Sequence, residues 1–304
     1  MELPTATEFS ETMNRTLRAK RFLIAPLDWG LGHATRCIPI VRDLRDLGQE
    51  VILAGRGPHI KVLSGEFPRL PVVPLPGYSM RYAATPLGLA LRFPLMVGTV
   101  FRCAKLEHRR LQCIVRDYHI DVVIADQRFG CFSSHARSIY ISHQLCVTMP
   151  PAATPLEWLV WRGLHYAANR FDEVWIPDFP GPENLTGDLT RKYPLPTTHR
   201  FVGPLSRFTV DTNTASVHDG PDVLVMLSGP EPQRSLLENK ILGQLEMLDR
   251  SAVVVRGTVK GECSAGAHAG VRMVPHLPGA ELQRLIAGAK AVVCRGGYST
   301  IMEL

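Results

Sequence analysis

The sequence predicts an α/β protein with two wound units in tandem, each a parallel sheet covered by helices. Short apolar runs alternate with longer segments of helical periodicity, which is typical of βαβ units. The alternation is interrupted once, by a polar and turn-rich stretch at residues 203–222, and then starts again. A chain of 304 residues is long enough for two domains of ordinary size.

Six short apolar runs predict the strands of the first unit. Each run is suited to a strand that is buried on both faces of a sheet. In order, the runs are RFLIAPL, EVILAG, LPVVPLP, DVVIAD, RSIYISHQ and DEVWIPD. Helices are expected between them: one after the glycine turn that follows the first strand, a long one over about residues 87–119 with Pro94 as a kink or boundary, and one in PLEWLVWRGLHYAANRF.

The second unit repeats this pattern over residues 222–304. Strands are predicted in DVLVMLSG, SAVVVRG, VRMVP and KAVVCRGG, and helices in QRSLLENKILGQLEML, PGAELQRLIAGA and the beginning of YSTIMEL. Since nothing follows to cover that edge of the sheet, we expect the second unit to be incomplete and the chain truncated. The predicted organisation is a flexible tail at 1–20, an amino-terminal Rossmann-like domain at 21–205, a linker at 206–221 and an incomplete carboxyl-terminal Rossmann-like domain at 222–304.

Composition and charge narrow the class of partner. The formal net charge is +6 and the hydrophobic content is 45%, which indicates a globular protein with real cores. A basic chain favours phosphorylated small molecules, an acidic membrane surface or nucleic acid, although the charge can also serve solubility alone. Nucleic acid is the least favoured, because the basic residues are dispersed and no recognition motif occurs.

The cysteines and the apolar segments indicate a cytoplasmic protein. The seven cysteines are scattered, odd in number and without a CxxC pair, so a reduced compartment is the simplest explanation. The polar amino terminus has no signal-peptide core. The most apolar stretch, residues 87–101, contains Arg92 and Pro94 and falls short of the ~18 clean residues that a spanning helix needs. No metal site is expected, because no cluster has metal-ligand spacing.

The turn after the first strand carries the first candidate for chemistry. Gly30 and Gly32 are followed by His33 at the start of a helix, but Thr35 stands where a dinucleotide fingerprint needs its third glycine. His33 can therefore act as a base at a crevice mouth, or it can simply cap the helix. Asp126 ends a strand and is expected at the same rim, where it would orient the imidazole or cap a turn.

Two glycine turns of the second unit are candidates for binding phosphate. In LSGPEPQRS, a strand ends near Gly229 and a helix starts near Gln233, with Arg234 able to add a charge-assisted bond; the alternative is a rigid surface loop. In CRGGYSTIMEL, a strand again runs into a helix start, whose free N–H groups suit an anion. The candidate residues in this second turn are Arg295, Gly296, Gly297, Ser299 and Thr300.

With these residues in place, the chain resembles GT-B glycosyltransferases over about residues 21–304. It is most similar to the branch of the peptidoglycan UDP-N-acetylglucosamine transferase and the galactolipid synthases, and to related uncharacterised bacterial proteins. The segments that carry the likeness are PLDWGLGHATR, RFG…ISHQL, SGPEPQR and GGYSTIMEL. The resemblance implies a GT-B fold with an acceptor-side amino domain and a nucleotide-sugar-binding carboxyl domain. It also implies that His33 is a base, that Asp126 orients it and that CRGGYSTIMEL holds the diphosphate.

The resemblance further implies a donor and a reaction. Glu303 would bind the ribose hydroxyls, and His276 and the backbone of Leu277 would lie beside the uracil ring. The expected activity is inverting, metal-independent transfer of a hexose-type sugar from a UDP-sugar, which is a co-substrate and not a cofactor, to an acceptor hydroxyl. The relatives carry a further loop that grips the donor sugar and a helix that returns to the amino domain; this sequence has neither.

The acceptor and two other functional classes stay open. Basic and Trp residues around the apolar helices suit an anionic bilayer and a lipid-linked acceptor, so peripheral contact with the inner face of the membrane is one reading and solvated core helices are the other. A nucleotide-sugar 2-epimerase shares the fold but needs further acid/base carboxylates in the cleft. A non-catalytic UDP-sugar-binding module is the third class.

Overall fold

The computed structural model describes residues 21–29, 31–78, 86–149, 154–208, 220–229, 231–248, 250–258, 264–265 and 270–304. The predicted tail, most of the predicted linker and Gly30 lie outside the described residues. Within them, the chain forms two sheets, which we call the amino lobe and the carboxyl lobe together with the helices that cover each. The exact domain limits stay a prediction.

The amino lobe contains a parallel sheet of seven described strands. They are β1 (Arg21–Pro26), β2 (Glu50–Ala54), β3 (Val72–Val73), β4 (Val122–Asp126), β5 (Arg137–Ile141), β6 (Glu173–Ile176) and β7 (His199–Phe201). Their order is β3-β2-β1-β4-β5-β6-β7, so the winding reverses between β1 and β4. In open α/β sheets the ligand crevice lies at the carboxyl ends of the strands beside this reversal. The register pairs Pro26 with Asp126, which puts the ends of β1 and β4 side by side.

Helices cover both faces of this sheet. They are α1 (Gly32–Asp46), α2 (Pro58–Glu66), α3 (Pro86–Asp117), α4 (Thr154–Ala168) and α5 (Asp188–Arg191). Apolar side chains of α1 and α2 pack on one face of the sheet, with buried residues such as Ile38 and Leu63. Side chains of α3 such as Leu111 pack on the other face. Pro94 does not end α3, which runs through it.

The carboxyl lobe has a smaller sheet. Its described strands are β8 (Val223–Met226), β9 (Ala252–Val255), β10 (Ser264–Ala265), β11 (Val271–Val274) and β12 (Ala291–Cys294), in the order β10-β11-β9-β8-β12. All pairs are parallel except β10 with β11. The described helices are α6 (Gln233–Leu245), α7 (Gly279–Gly288) and α8 (Tyr298–Ile301). The parallel, alternating architecture confirms the predicted fold class.

The two lobes touch through the last residues of the chain. The Ser299 hydroxyl donates to the Gly32 carbonyl at 3.2 Å, which joins α8 to the start of α1. The backbone N–H of Leu205 donates to the sulfur of Met302 at 3.2 Å. These contacts bring the glycine turns of the carboxyl lobe toward the carboxyl edge of the amino-lobe sheet. Among the described helices, none combines the length and apolarity needed to cross a membrane.

Candidate active site

The ends of β1 and β4 bring His33 and Asp126 together. Asp126 is the last residue of β4 and is fully buried, while His33 is the second residue of α1 and its side chain is 14% exposed. The Nδ1 atom of His33 lies 2.9 Å from Oδ2 of Asp126. Adjacent parallel strands end at one rim of the sheet, so a residue at a strand end can meet the helix that starts beside it.

Arg36 is a third member of this cluster, and the sequence analysis missed it. It lies one turn after His33 on α1 and is 1% exposed. Its Nε donates to Oδ2 of Asp126 at 2.8 Å, and its Nη2 donates to Oδ1 in a very short bond. The signal was available, because residues three apart on a helix share one face and an arginine at that spacing can reach the same carboxylate.

Nδ1 of His33 lies between a donor, Arg36, and an acceptor, Asp126, so the proton on His33 is placed by charge and not by the distances. Nη2 of Arg36 also lies 2.7 Å from Nδ1 of His33, but Nη2 donates to Asp126. Because the carboxylate is anionic and accepts from both neighbours, we place the proton of neutral His33 on Nδ1, pointing at Asp126. Nε2 then carries the lone pair that can take a proton. This is the arrangement in which a carboxylate orients an imidazole base.

Burial and charge keep this base neutral. Burial lowers the pKa of His33 below 6.5; the Arg36 guanidinium lowers it further, and Asp126 opposes both. Burial alone would raise the pKa of Asp126, but Arg36 and His33 outweigh it and hold that pKa below 3.8. At neutral pH the pair is therefore a carboxylate and an unprotonated imidazole, which is the form a general base needs.

A second histidine borders the cluster. The Nδ1 atom of His143 lies 2.6 Å from Nη1 of Arg36, so Arg36 is held from two sides. His143 follows β5 by two residues, at the same rim as Asp126. The strand-end rule that selected Asp126 applies equally to His143, and the sequence analysis did not use it there.

A buried ion pair shapes the loops around the site. Arg128 and Glu107 are both fully buried and bound to each other. Arg128 Nε donates to the carbonyl of Pro26 at 2.7 Å, and Glu107 accepts from the hydroxyl of Tyr78 at 2.6 Å and from the N–H of Gly130 at 2.9 Å. The end of β1 and the loop after β4 are thus tied to α3. Removing one partner of such a pair leaves an uncompensated buried charge.

The first glycine turn allows the lobes to approach. A Cβ on Gly32 would lie 2.6 Å from Oγ of Ser299 and 3.1 Å from its Cβ. No side chain fits there without moving Ser299. Gly32 is therefore a point of close contact with the carboxyl lobe, beside the predicted base.

The two glycine loops of the carboxyl lobe lie next to each other, because β8 and β12 are neighbours. Gly229 has φ of +104°, and a Cβ there would collide with the guanidinium of Arg295. A Cβ on Gly297 would be 3.5 Å from Oγ of Ser228, whereas one on Gly296 would meet no atom within 4 Å. The two loops thus expose backbone without side chains at the glycines, and the exposed Arg295 side chain lies against them.

Arg234 is not a free guanidinium. It is buried near the start of α6, where its Nε donates to Glu231 at 2.8 Å and its Nη1 to Glu238 at 2.7 Å. A phosphate would have to compete with both carboxylates. Gln233 is the first residue of α6 and lies beside this cluster in sequence. The role predicted for these two residues stays a prediction.

Two of the residues predicted to hold the nucleoside interact with Arg207, which lies between the two lobes in sequence. Glu303 forms an ion pair with Arg207, with Oε1 at 2.8 Å from Nε and Oε2 at 3.1 Å from Nη2. Burial raises the pKa of Glu303, and Arg207 opposes that shift. His276 is half-buried, and burial and Arg207 both lower its pKa. Leu277 is buried in the core of the carboxyl lobe, and Thr300 is 8% exposed.

The ionisable groups of the described residues offer no metal centre: no group of three or more His, Cys, Asp or Glu side chains there could hold an ion. The site that the described residues do form is an imidazole–carboxylate–guanidinium cluster on the amino lobe. The glycine surface of the carboxyl lobe is joined to it through α8, whose Ser299 contacts Gly32.

No family model matches the sequence, and no curated protein matches it. Solved structures do match. The glycosyltransferase SnogD from Streptomyces nogalater is 17% identical with a TM-score of 0.54, over 93% of this chain and 78% of that chain. SsfS6 from Streptomyces sp. SF2575, solved with thymidine diphosphate, is 15% identical with a TM-score of 0.54, over 93% and 78%. UGT89C1 from Arabidopsis thaliana, solved with UDP-L-rhamnose, is 11% identical with a TM-score of 0.52, over 94% and 76%. The chain therefore has the GT-B glycosyltransferase fold.

Proposed function

We propose that this chain is a glycosyltransferase that moves a hexose-type sugar from a UDP-sugar to an acceptor hydroxyl with inversion at the anomeric carbon. The observation that carries the proposal is the 2.9 Å contact of His33 with Asp126 at the carboxyl edge of one sheet, next to the contact of Gly32 with Ser299 of the other lobe. A base on one lobe and an anion-binding surface on the other is the layout that this reaction needs.

The proposed reaction uses the cluster in one concerted step. Nε2 of His33 takes the proton from the acceptor hydroxyl, and Asp126 stabilises the resulting imidazolium. The acceptor oxygen forms a bond to the anomeric carbon while the bond from that carbon to the diphosphate oxygen breaks. The UDP leaves with that electron pair, stabilised by the backbone N–H groups of the glycine loops and by Arg295 instead of a metal ion.

The donor is assigned to the carboxyl lobe. The diphosphate would lie over the glycine loops near Gly229 and Gly296, and the uracil beside His276 and Leu277. The ribose hydroxyls would bind Glu303, whose carboxylate would exchange or share its present partner Arg207. UDP specificity and membership of the peptidoglycan and galactolipid branch belong to this proposal.

The proposed acceptor is lipid-linked, with the amino lobe resting on an anionic bilayer. Large apolar side chains are exposed on α3 and α4, including Leu95 at 74%, Phe101 at 71% and Leu159 at 60%. Arg162 stacks over the exposed Trp158, 4.8 Å from the ring centroid. Apolar faces edged with Arg and Trp bind anionic interfaces. Co-flotation with vesicles of anionic phospholipid is expected, and failure to co-float would remove the membrane from the proposal.

The test of the activity is a donor panel with product analysis. The protein is incubated with each of several UDP-sugars, with and without a membrane-lipid extract as the acceptor source, and products are identified by mass spectrometry. Sugar transfer that depends on both substrates supports the proposal. Conversion of UDP-N-acetylglucosamine alone into an epimer would indicate the 2-epimerase, and UDP binding without any turnover would indicate the binding module.

A further inference from the structure

Tyr298 of the carboxyl lobe covers a histidine of the amino lobe. The rings of Tyr298 and His143 are stacked, with centroids 4.5 Å apart and planes 9° from parallel. Tyr298 is 9% exposed, and its hydroxyl donates to the carbonyl of Pro177. Tyr298 is therefore part of the carboxyl lobe, but its side chain contacts the amino lobe twice, through the ring and through the hydroxyl.

The covered histidine holds Arg36. Nη1 of Arg36 lies 2.6 Å from Nδ1 of His143, and only a neutral imidazole can accept a hydrogen bond at that atom. Burial holds the pKa of His143 well below 6.5, and the nearby Arg36 and His33 push in the same direction. Under its aromatic cover, His143 is therefore an acceptor throughout the neutral range.

These contacts form one chain from the carboxyl lobe to the proposed base. The Arg36 side chain links His143 to Asp126, because it also donates to the Asp126 carboxylate through Nε and Nη2. Asp126 in turn accepts from His33. We propose that Tyr298 is a positioning residue. Its ring shields His143 from water, so that His143 can accept a hydrogen bond from Arg36, and Arg36 together with Asp126 orients His33.

This assignment rests on the proposed function, since it gives Tyr298 and His143 a part in supporting the base. Its consequence is that the base is complete only when the lobes are in contact. Tyr298 directly follows the loop at 295–297, which is proposed to hold the diphosphate. The contacts of Tyr298 with the amino lobe thus connect the proposed donor site on one lobe to the proposed base on the other.

The charges around His143 fix the direction of the expected change. The charged and titratable groups that face it are Arg36, His33 and Asp126, with Arg128 acting on His33 from the loop after β4. Of these, only Asp126 favours a protonated ring. Without Tyr298 the ring gains water, and its pKa moves up toward the ordinary value of about 6.5. Protonated His143 cannot accept from Arg36 and repels it.

The test compares Tyr298→Ala with Tyr298→Phe in the full chain. Histidine imidazole signals are followed by NMR between about pH 5 and 8, the range in which an ordinary histidine titrates. In the wild type and in Tyr298→Phe, which keeps the stacked ring, the His143 signal is expected to stay that of a neutral ring. In Tyr298→Ala, the pKa of His143 is expected to rise into this range, and the His33 signals are expected to shift with the same midpoint.

A matched control separates this effect from loss of lobe contact in general. Met302→Ala removes the contact of Met302 with the N–H of Leu205 and keeps the Tyr298 ring and the Arg36 side chain. It is expected to leave both histidine titrations unchanged. A second pair, His143→Leu and His143→Gln, tests the same chain without altering Tyr298. His143→Leu removes the acceptor for Arg36 and should shift the His33 signals. His143→Gln provides a carbonyl acceptor and should return those signals to their wild-type positions.

Kinetics supplies the functional arm. In Tyr298→Ala the acid limb of the kcat/KM profile is expected to move up in pH, to the midpoint at which His143 protonates. In Tyr298→Phe it stays where the wild type has it. The proposal is overturned if His143 does not titrate in Tyr298→Ala, or if it titrates without moving His33. It is overturned equally if His143→Leu leaves the His33 signals in place. If the wild type transfers no sugar at all, the proposed function fails, and the NMR arms still decide this inference.

Discussion

The substitution His33→Ala tests the proposed base directly. It removes the proton acceptor and leaves the two bonds between Arg36 and Asp126 in place. General-base help contributes about 10²–10⁴ in rate, so turnover is expected to fall by that factor. At 1.36 kcal/mol for each factor of ten, the transition state loses about 3–5 kcal/mol of stabilisation.

The structure also says what this substitution leaves intact. The His33 side chain is already 14% exposed and makes one bond to Asp126, so its loss is expected to lower the free energy of unfolding by about 1 kcal/mol. The loops proposed for UDP lie on the other lobe. The Kd for UDP should therefore change by less than about threefold, which corresponds to about 0.65 kcal/mol.

The assay pairs UDP release under saturating substrates with calorimetric titration of UDP. His33→Gln is the matched control, because its amide can still donate to Asp126 but cannot accept a proton at neutral pH. Both variants are expected to lose activity equally while binding UDP as the wild type does. Turnover above about a tenth of the wild type in either variant would take His33 out of the mechanism.

Three other perturbations test the surroundings of the site. Burial lowers the pKa of His33 below 6.5, so below that pH the unfolded chain binds a proton that the folded protein does not. The free energy of unfolding should therefore fall as the pH drops below about 6.5, and it should fall less steeply in His33→Ala. Urea titrations at a series of pH values measure this. Gly229→Ala, strained at φ of +104°, should destabilise by about 1–2 kcal/mol and weaken UDP binding, while Gly296→Ala should leave stability unchanged; equal melting of the two would contradict the argument. Glu107→Gln should cost about 3–5 kcal/mol in urea unfolding because it leaves Arg128 buried and unpaired, and a cost below about 1 kcal/mol would show that the pair is not buried in solution.

Most of the fold could be predicted because parallel strands buried on both faces read as short apolar runs. The sequence analysis missed four elements, α2, α5, β7 and β10, and the longest of them, α2, spans nine residues. Such segments carry too few residues to show a period of two or of 3.6. In LPVVPLP only Val72 and Val73 form a strand, because three prolines lack the N–H that a ladder requires.

The site was predictable only as far as the strand-end rule reaches. That rule selected His33 and Asp126, but their contact also depends on β1 and β4 being neighbours, which local periodicity does not encode. Arg36 and His143 were missed because their roles arise from a network that closes only in three dimensions. The ion pair of Glu303 with Arg207 joins residues 96 positions apart and left no local signal.

The bare backbone at Gly32 allows the two lobes to touch at Ser299. The methyl group of an alanine there would lie 2.6 Å from Oγ and 3.1 Å from Cβ of Ser299, so it would have to displace that side chain. Any larger residue at position 32 would push the amino lobe and the carboxyl lobe apart. Substitution of Gly32 thus offers protein engineers a way to hold the two lobes apart and to study an open form of the protein.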